Sequence, residues 1–255
     1  MNKSLNRLRP ALLLALCLLL AAPCARASDS PLAGALQCIL VLAPDWESHA
    51  GTLRRFERDG ELSPWKQAGS EYNALLGKNG LGWGRGLHGF RLDRAHPYAR
   101  EGSGRSPAGV FTIPTTFGYL PPGELRLNMP YLRRTANIVG VEDPASRYYN
   151  RFVDKSTIPD PDWDKSSERG LDTFPPHFEW GFQIGHNTDP IVPQGGSMIH
   201  VHCSAPGDTQ TQGCTALAPE AVRATLLWLD AAKNPVIVQL PADQYARYKP
   251  LWNLP

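Results

Sequence analysis

Short apolar runs broken by glycine, proline and aspartate constrain this chain more than any other feature, because such runs form strands and leave little room for helices. The run LQCILVLA at 36–43 is continuously apolar, as a central strand covered on both faces requires. Residues 52–67 read as two strands joined at Asp59-Gly60, a favoured tight hairpin turn. Further strands are expected at 106–113, entered through a turn, and at 124–129, 178–184, 197–203 and 235–240. The glycine-rich stretch 80–89 lacks the strand-to-helix setting of a phosphate-binding loop. One stretch reads as a helix, from Pro219 to about Ala232. Pro219 suits a first turn, Glu220 complements the positive N-terminal end, and Val222, Leu226, Leu227 and Leu229 supply an apolar face. Residues 143–176, rich in Pro, Asp, Ser and Arg, read as a loop-rich insertion of the kind that serves function or acts as a lid. The expected fold is mainly β.

The N-terminus bears on compartment rather than fold. Lys3, Arg7 and Arg9 precede the apolar run 11–22, and Ala25-Arg26-Ala27 offers a small-residue cleavage site. That is the pattern of a secretory signal peptide over residues 1–27. The apolar run is too short to span a membrane, so no membrane anchor is expected. Residues 28–255 are enough for one domain. Removing four basic residues and no acids from 26 and 24 leaves 22 Lys and Arg against 24 Asp and Glu, a net charge of −2. No basic stripe remains, and a nucleic-acid partner is not expected. Cys38, Cys203 and Cys214 stay after the signal leaves. An odd count in an oxidising compartment leaves one thiol free or pairs two chains; a Cys38–Cys203 disulfide with Cys214 free is one arrangement.

Chemistry concentrates around Cys214. Alternation along a strand puts His200 and His202 on one face. The segment after His202 contains Pro206-Gly207 and is long enough to loop back beside that strand. A cysteine next to a histidine base can act as a nucleophile, with Gly213 allowing close backbone approach and the amides after it serving as oxyanion donors. A buried, inert cysteine is the competing reading. His-x-His on a strand is also a zinc arrangement, to which His186 could add a ligand. Asp189, however, lies one residue short of the His-x-x-x-Asp that cell-wall zinc endopeptidases use upstream of such a strand.

SPAGVFTI at 106–113, IHVH at 199–202 and TQGCTALA at 211–218, in that order, resemble the L,D-transpeptidase (YkuD-like) family of bacterial cell-wall enzymes. The motifs cover about 110 residues, with looser similarity from about Gln37 to Leu240. The resemblance implies a YkuD-like β-sandwich or partly closed barrel, with one main helix after the catalytic cysteine. It makes Cys214 the nucleophile, His202 the general base and Gly213 the turn before the nucleophile. The chain departs from the pattern at Gln212, where the family carries histidine, and in its short His202–Cys214 interval. With SRYYNRFVD at 146–154 and GHN at 185–187, these departures look like a divergent branch, one such branch resembling proteobacterial enzymes that form 1-3 cross-links; ordinary members form 3-3 links, and either type is expected here.

The implied function is a periplasmic cysteine transpeptidase acting on peptidoglycan stem peptides without metal or organic cofactor. Hydrolysis on the same scaffold is the alternative, followed by a zinc-dependent peptidase or a noncatalytic wall-binding module. Because the substrate carries carboxylates, Arg147 and Arg151, with Tyr149 and Asn150 between them, are expected to contact it. His186 and Asn187 are expected to face the same site. His200 is the alternative base.

Overall fold

The computed structural model describes residues 30–90, 95–170 and 177–255, so the expected signal segment lies outside it. Its strands are β1 (Gln37–Ala43), β2 (Ala50–Glu57), β3 (Lys66–Gln67), β4 (Tyr72–Leu75), β5 (Leu81–Trp83), β6 (Ser106–Thr112), β7 (Thr116–Gly118), β8 (Tyr131–Arg133), β9 (Ile138–Val141), β10 (Arg151–Asp154), β11 (Glu168–Arg169), β12 (Trp180–Gln183), β13 (His200–Cys203), β14 (Thr215–Leu217) and β15 (Val236–Pro241). A 12-stranded mixed sheet follows the order β5-β6-β15-β1-β2-β4-β14-β13-β12-β7-β8, with β3 paired to β2.

The fold is mainly β, as the apolar runs predict. β1 lies between β15, parallel, and β2, antiparallel. It is buried at every position but Leu42, which is why its sequence does not alternate. Each fully buried Ile, Leu or Val there contributes about 1.5–3 kcal/mol.

Among the described residues two α-helices cover the sheet rather than one. Helix α1 (Pro219–Trp228) starts where Pro219 predicts and packs on β12 and β13 through Ala221, Val222, Thr225 and Leu226. It stops before the expected Ala232, and Leu227 faces outward, 42% exposed. Helix α2 (Ala242–Trp252) was not expected, because charged residues and Pro250 mask its pattern. Its buried stripe is Gln244, Tyr248 and Trp252, spaced by four, and it rests on β15 and β1.

Three other expectations change. The hairpin does not turn tightly at Asp59-Gly60; residues 58–65 separate β2 from β3. Arg58, 5% exposed, needs acceptors inside the fold and takes the carbonyls of Ala35, Glu61 and Leu32, so the loop wraps around it. Residues 124–129 form no strand, since pairing is limited to one bridge from Asn128 to Asp230. The strand expected from 197 begins only at His200, because Met198 has φ +49° and breaks the ladder.

The insertion 143–176 is more ordered than a loop over its described part. Preceded by β9, it adds β10 and β11 to make a small antiparallel sheet in the order β10-β9-β11. Val139, Val141 and Trp163 form its own core, with Tyr148, Val153 and Ile158 packed around them.

Candidate active site

Cys214 sits at the bend that leads into β14. Gly213 before it has φ +143°, a conformation that strains any residue with a side chain. Two hydroxyls hold the Cys214 carbonyl: Ser106 Oγ donates at 2.8 Å and Thr211 Oγ1 at 2.6 Å. Ser106 Oγ also accepts the Gly77 amide at 2.8 Å. The start of β6 and the cysteine turn, 108 residues apart in sequence, therefore share one hydrogen-bond cluster.

With the carbonyl held, the sulfur faces the start of β13. Sγ donates to the Met198 carbonyl at 3.6 Å, and the His200 backbone amide hydrogen-bonds it. The residue as a whole is half-buried, but protein atoms crowd the sulfur itself. That burial pushes the thiol up to about 12; the His200 amide pulls it down, Glu142 raises it and Arg169 lowers it. The resting thiol is neutral at pH 7.

β13 and β14 run parallel, with Val201 opposite Thr215 and His202 opposite Ala216. Continuing that register puts His200 beside Cys214, with His202 further along the same face. Both rings meet Phe178, at 5.9 and 5.1 Å between centroids. His200 is 3% exposed, stacked on Phe152 at 5.3 Å and edge-on to Phe117 at 5.1 Å. Among the described residues neither of its ring nitrogens has a hydrogen-bond partner. Burial, then Arg134 and His202, hold its pKa well below the usual histidine value, so the ring is neutral.

His202 differs. Its Nδ1 lies 2.8 Å from the Cys203 carbonyl, which can only accept, so Nδ1 carries the proton and Nε2 the lone pair. Burial lowers its pKa to about 4, and the adjacent His177 lowers it further while Asp208 raises it. His177 Nε2 lies 2.9 Å from Asp208 Oδ2, and its ring centroid is 5.9 Å from that of His202. No ring nitrogen of His200 or His202 is hydrogen-bonded to Cys214.

The Gly213 amide donates to Thr211 Oγ1 at 3.1 Å and is engaged. The Cys214 amide is the remaining donor beside the sulfur. Gln212, two residues before Cys214, is exposed.

Four of the expected substrate contacts are buried connectors. Asn150, in the left-handed region at φ +59°, donates to the His186 and Asn187 carbonyls at 3.1 and 2.8 Å and accepts the Met198 amide at 2.9 Å. Asn187 is tied to Val192 and Gly196. His186 Nδ1 accepts the Arg85 amide at 3.1 Å, and Nε2 meets the Gly195 carbonyl at 3.0 Å. The Tyr149 hydroxyl donates to Glu101 and accepts the Gly196 amide. Together they hold the 185–198 loop, and with it the Met198 carbonyl on which Cys214 rests. Their polar groups point into the protein and are taken up by these bonds. Arg147 and Arg151 are exposed; Arg147 lies 3.7 Å from Asp162 and over the Tyr148 ring.

Sequence reasoning missed Glu101 and the Glu142–Arg169 ion pair, which closes at 2.6 Å on the small sheet within electrostatic range of Cys214. No local pattern marks them, since their partners are distant in sequence. Both ring nitrogens of His186 are engaged by backbone, which removes the extra ligand from the zinc arrangement. Among the described residues no three His, Cys, Asp or Glu side chains gather as a metal site. Cys38 and Cys203 are free thiols, not a disulfide.

No family model, curated protein or solved structure matches this chain. Fold and site alone define its class: a mainly β protein with a cysteine turn laid against a histidine-bearing strand.

Proposed function

We propose that this protein is an exported peptidoglycan L,D-transpeptidase, forming stem-peptide cross-links of the 1-3 or 3-3 type through a Cys214 acyl-enzyme on a divergent YkuD-like β-sandwich. The observation that carries the reading is the Ser106–Cys214 hydrogen bond, which joins two of the three sequence motifs in space, with the third on the adjacent strand. The signal-like sequence of residues 1–27 supports export, with the periplasm as the site of the reaction.

In this mechanism His202 Nε2 takes the Cys214 thiol proton as sulfur attacks the carbonyl carbon of an L-centre. A resting ion pair is disfavoured, because burial keeps both groups neutral. Proton transfer accompanies attack, and the Cys214–histidine contact closes when substrate binds, as catalytic hydrogen bonds commonly do. The oxyanion develops against the Cys214 amide. The C–N bond to the D-residue then breaks, and its amine leaves with the proton from His202. An acceptor amine attacks the thioester, yields a proton to His202 and expels the Cys214 thiolate, which His202 reprotonates.

The test is mass spectrometry of muropeptides after incubation of purified sacculi with the protein and with Cys214→Ala, His202→Ala and His200→Phe. New dimers lost in the first two variants and kept in the third support the reading, and fragmentation assigns the linkage. Loss in His200→Phe with retention in His202→Ala transfers the base to His200. Shortened monomers without dimers make the protein a hydrolase. Products that survive loss of Cys214 overturn the nucleophile.

A further inference from the structure

Beside the cysteine turn lies an open polar groove of about 760 Å³, lined by Pro97, Tyr98, Arg100, Glu101, Arg105 and Gln194 among others. That volume suits a peptide fragment. One close approach and one chain of hydrogen bonds tie the groove to the nucleophile. An added Cβ on Gly213 would lie 3.3 Å from the Arg105 carbonyl. Glu101 accepts the Ser197 hydroxyl at 2.9 Å, and Ser197 precedes Met198, whose carbonyl receives the Cys214 thiol.

The charged groups of the groove differ in what they are free to do. Arg105 is engaged, giving Nη2 to Glu47 at 3.0 Å and Nη1 to the Leu81 carbonyl at 2.9 Å. Arg100 is exposed, and among the described residues its guanidinium meets no carboxylate. Glu101 is held in place by two hydroxyls, from Tyr149 and Ser197, both on Oε2. Its Oε1 has no hydrogen-bond partner among the described residues. One groove thus presents an unpaired cation and a fixed, half-satisfied carboxylate from adjacent residues. Pro97 and Tyr98 add apolar surface next to them.

We propose that this groove is the subsite for a free α-amino-acid group on the peptide substrate, with Arg100 receiving its carboxylate and Glu101 Oε1 its ammonium. A ligand with both charges on one carbon matches the pair, whereas a simple carboxylate or amine satisfies only half of it. This assignment rests on the transpeptidase reading, in which a diaminopimelate D-centre supplies that group.

Calorimetric titration of the Cys214→Ala protein separates binding from turnover. The probes are the tetrapeptide L-Ala-γ-D-Glu-meso-diaminopimelate-D-Ala, the same peptide amidated at the D-centre carboxylate, and the same peptide acetylated at the D-centre amine. The unmodified peptide is expected to bind roughly tenfold tighter than either derivative. Arg100→Gln should erase the difference between parent and amide. Glu101→Gln, which keeps an acceptor for both hydroxyls, should erase the difference between parent and acetyl peptide. Should Glu101→Gln fail to fold, the surface substitution Arg100→Gln decides alone. No binding, equal binding of all three probes, or unchanged parent affinity in Arg100→Gln would overturn the proposal. If sacculi stay unchanged with Cys214 intact while this binding pattern holds, the transpeptidase reading falls and the groove stands. Dimers formed with no effect of Arg100→Gln remove the groove and leave the enzyme.

Discussion

Ser106 donates its hydroxyl to the Cys214 carbonyl at 2.8 Å while accepting the Gly77 amide at 2.8 Å, and it is fully buried. A hydroxyl of this size can donate and accept at once. It couples the entrance of β6 to the turn whose geometry aims the candidate nucleophile.

Replacing Ser106 with Ala removes both bonds and leaves a buried amide without its acceptor. The expected loss of stability is about 1–3 kcal/mol, read as a lower urea midpoint with an unchanged slope. Thiol labelling of Cys214 should quicken as its turn loosens. An unaltered midpoint together with unaltered labelling would remove Ser106 from the site's framework.

Asn150→Ala breaks three buried hydrogen bonds and leaves at φ +59° a residue less tolerant of the left-handed region than asparagine. The expected cost is roughly 2–4 kcal/mol. Hydrogen exchange should increase in 185–198 before the main sheet opens, because these bonds tie that loop to the small sheet. Uniform exchange across the protein would contradict the connector role.

The three cysteines among the described residues should label in a fixed order. Cys38 and Cys203 are 0% and 1% exposed, and burial raises both thiols, Cys203 to about 11. Cys214 alone is half-buried. Iodoacetamide at pH 8 is expected to modify Cys214 first, slowly, with a rate that climbs as pH rises toward about 12. Peptide mapping checks the order; early modification of Cys38 or Cys203 in folded protein would refute it.

Acid should destabilise the fold through its histidines. Burial first of all lowers His88, His186 and His202 to about 4, and His200 well below the usual value. Between pH 6.5 and about 4 the unfolded chain binds protons that these folded sites refuse. Stability is therefore present above 6.5 and lost as pH falls through about 4. Melting temperatures measured from pH 7.5 to 4 should drop across that window, and His88→Gln should flatten the drop. A constant melting temperature would be the contrary result.

Part of this protein is legible from neighbouring residues alone. The unbroken apolar run at 36–43 already identifies β1 as a strand covered on both faces, and Pro219 with Glu220 marks the first turn of α1. Gly213-Cys214 can be recognised as a special turn because a positive φ is a local property of glycine. In each case the physics acts within a few residues, through sterics, periodicity or the helix dipole.

Tertiary structure decided the rest, because buried polar and charged groups must find partners wherever the chain supplies them. Arg58 collects three carbonyls and thereby replaces a tight turn with a wrapped loop. Asn150, His186 and Asn187 look like surface recognition residues in sequence, yet they brace the loop behind Cys214. The phenylalanines around His200 come from β7, β10 and the approach to β12, so nothing beside His200 in sequence announces an apolar cage. The neutrality of that ring, and the crowding that keeps the Cys214 thiol protonated, exist only once distant segments exclude water from them.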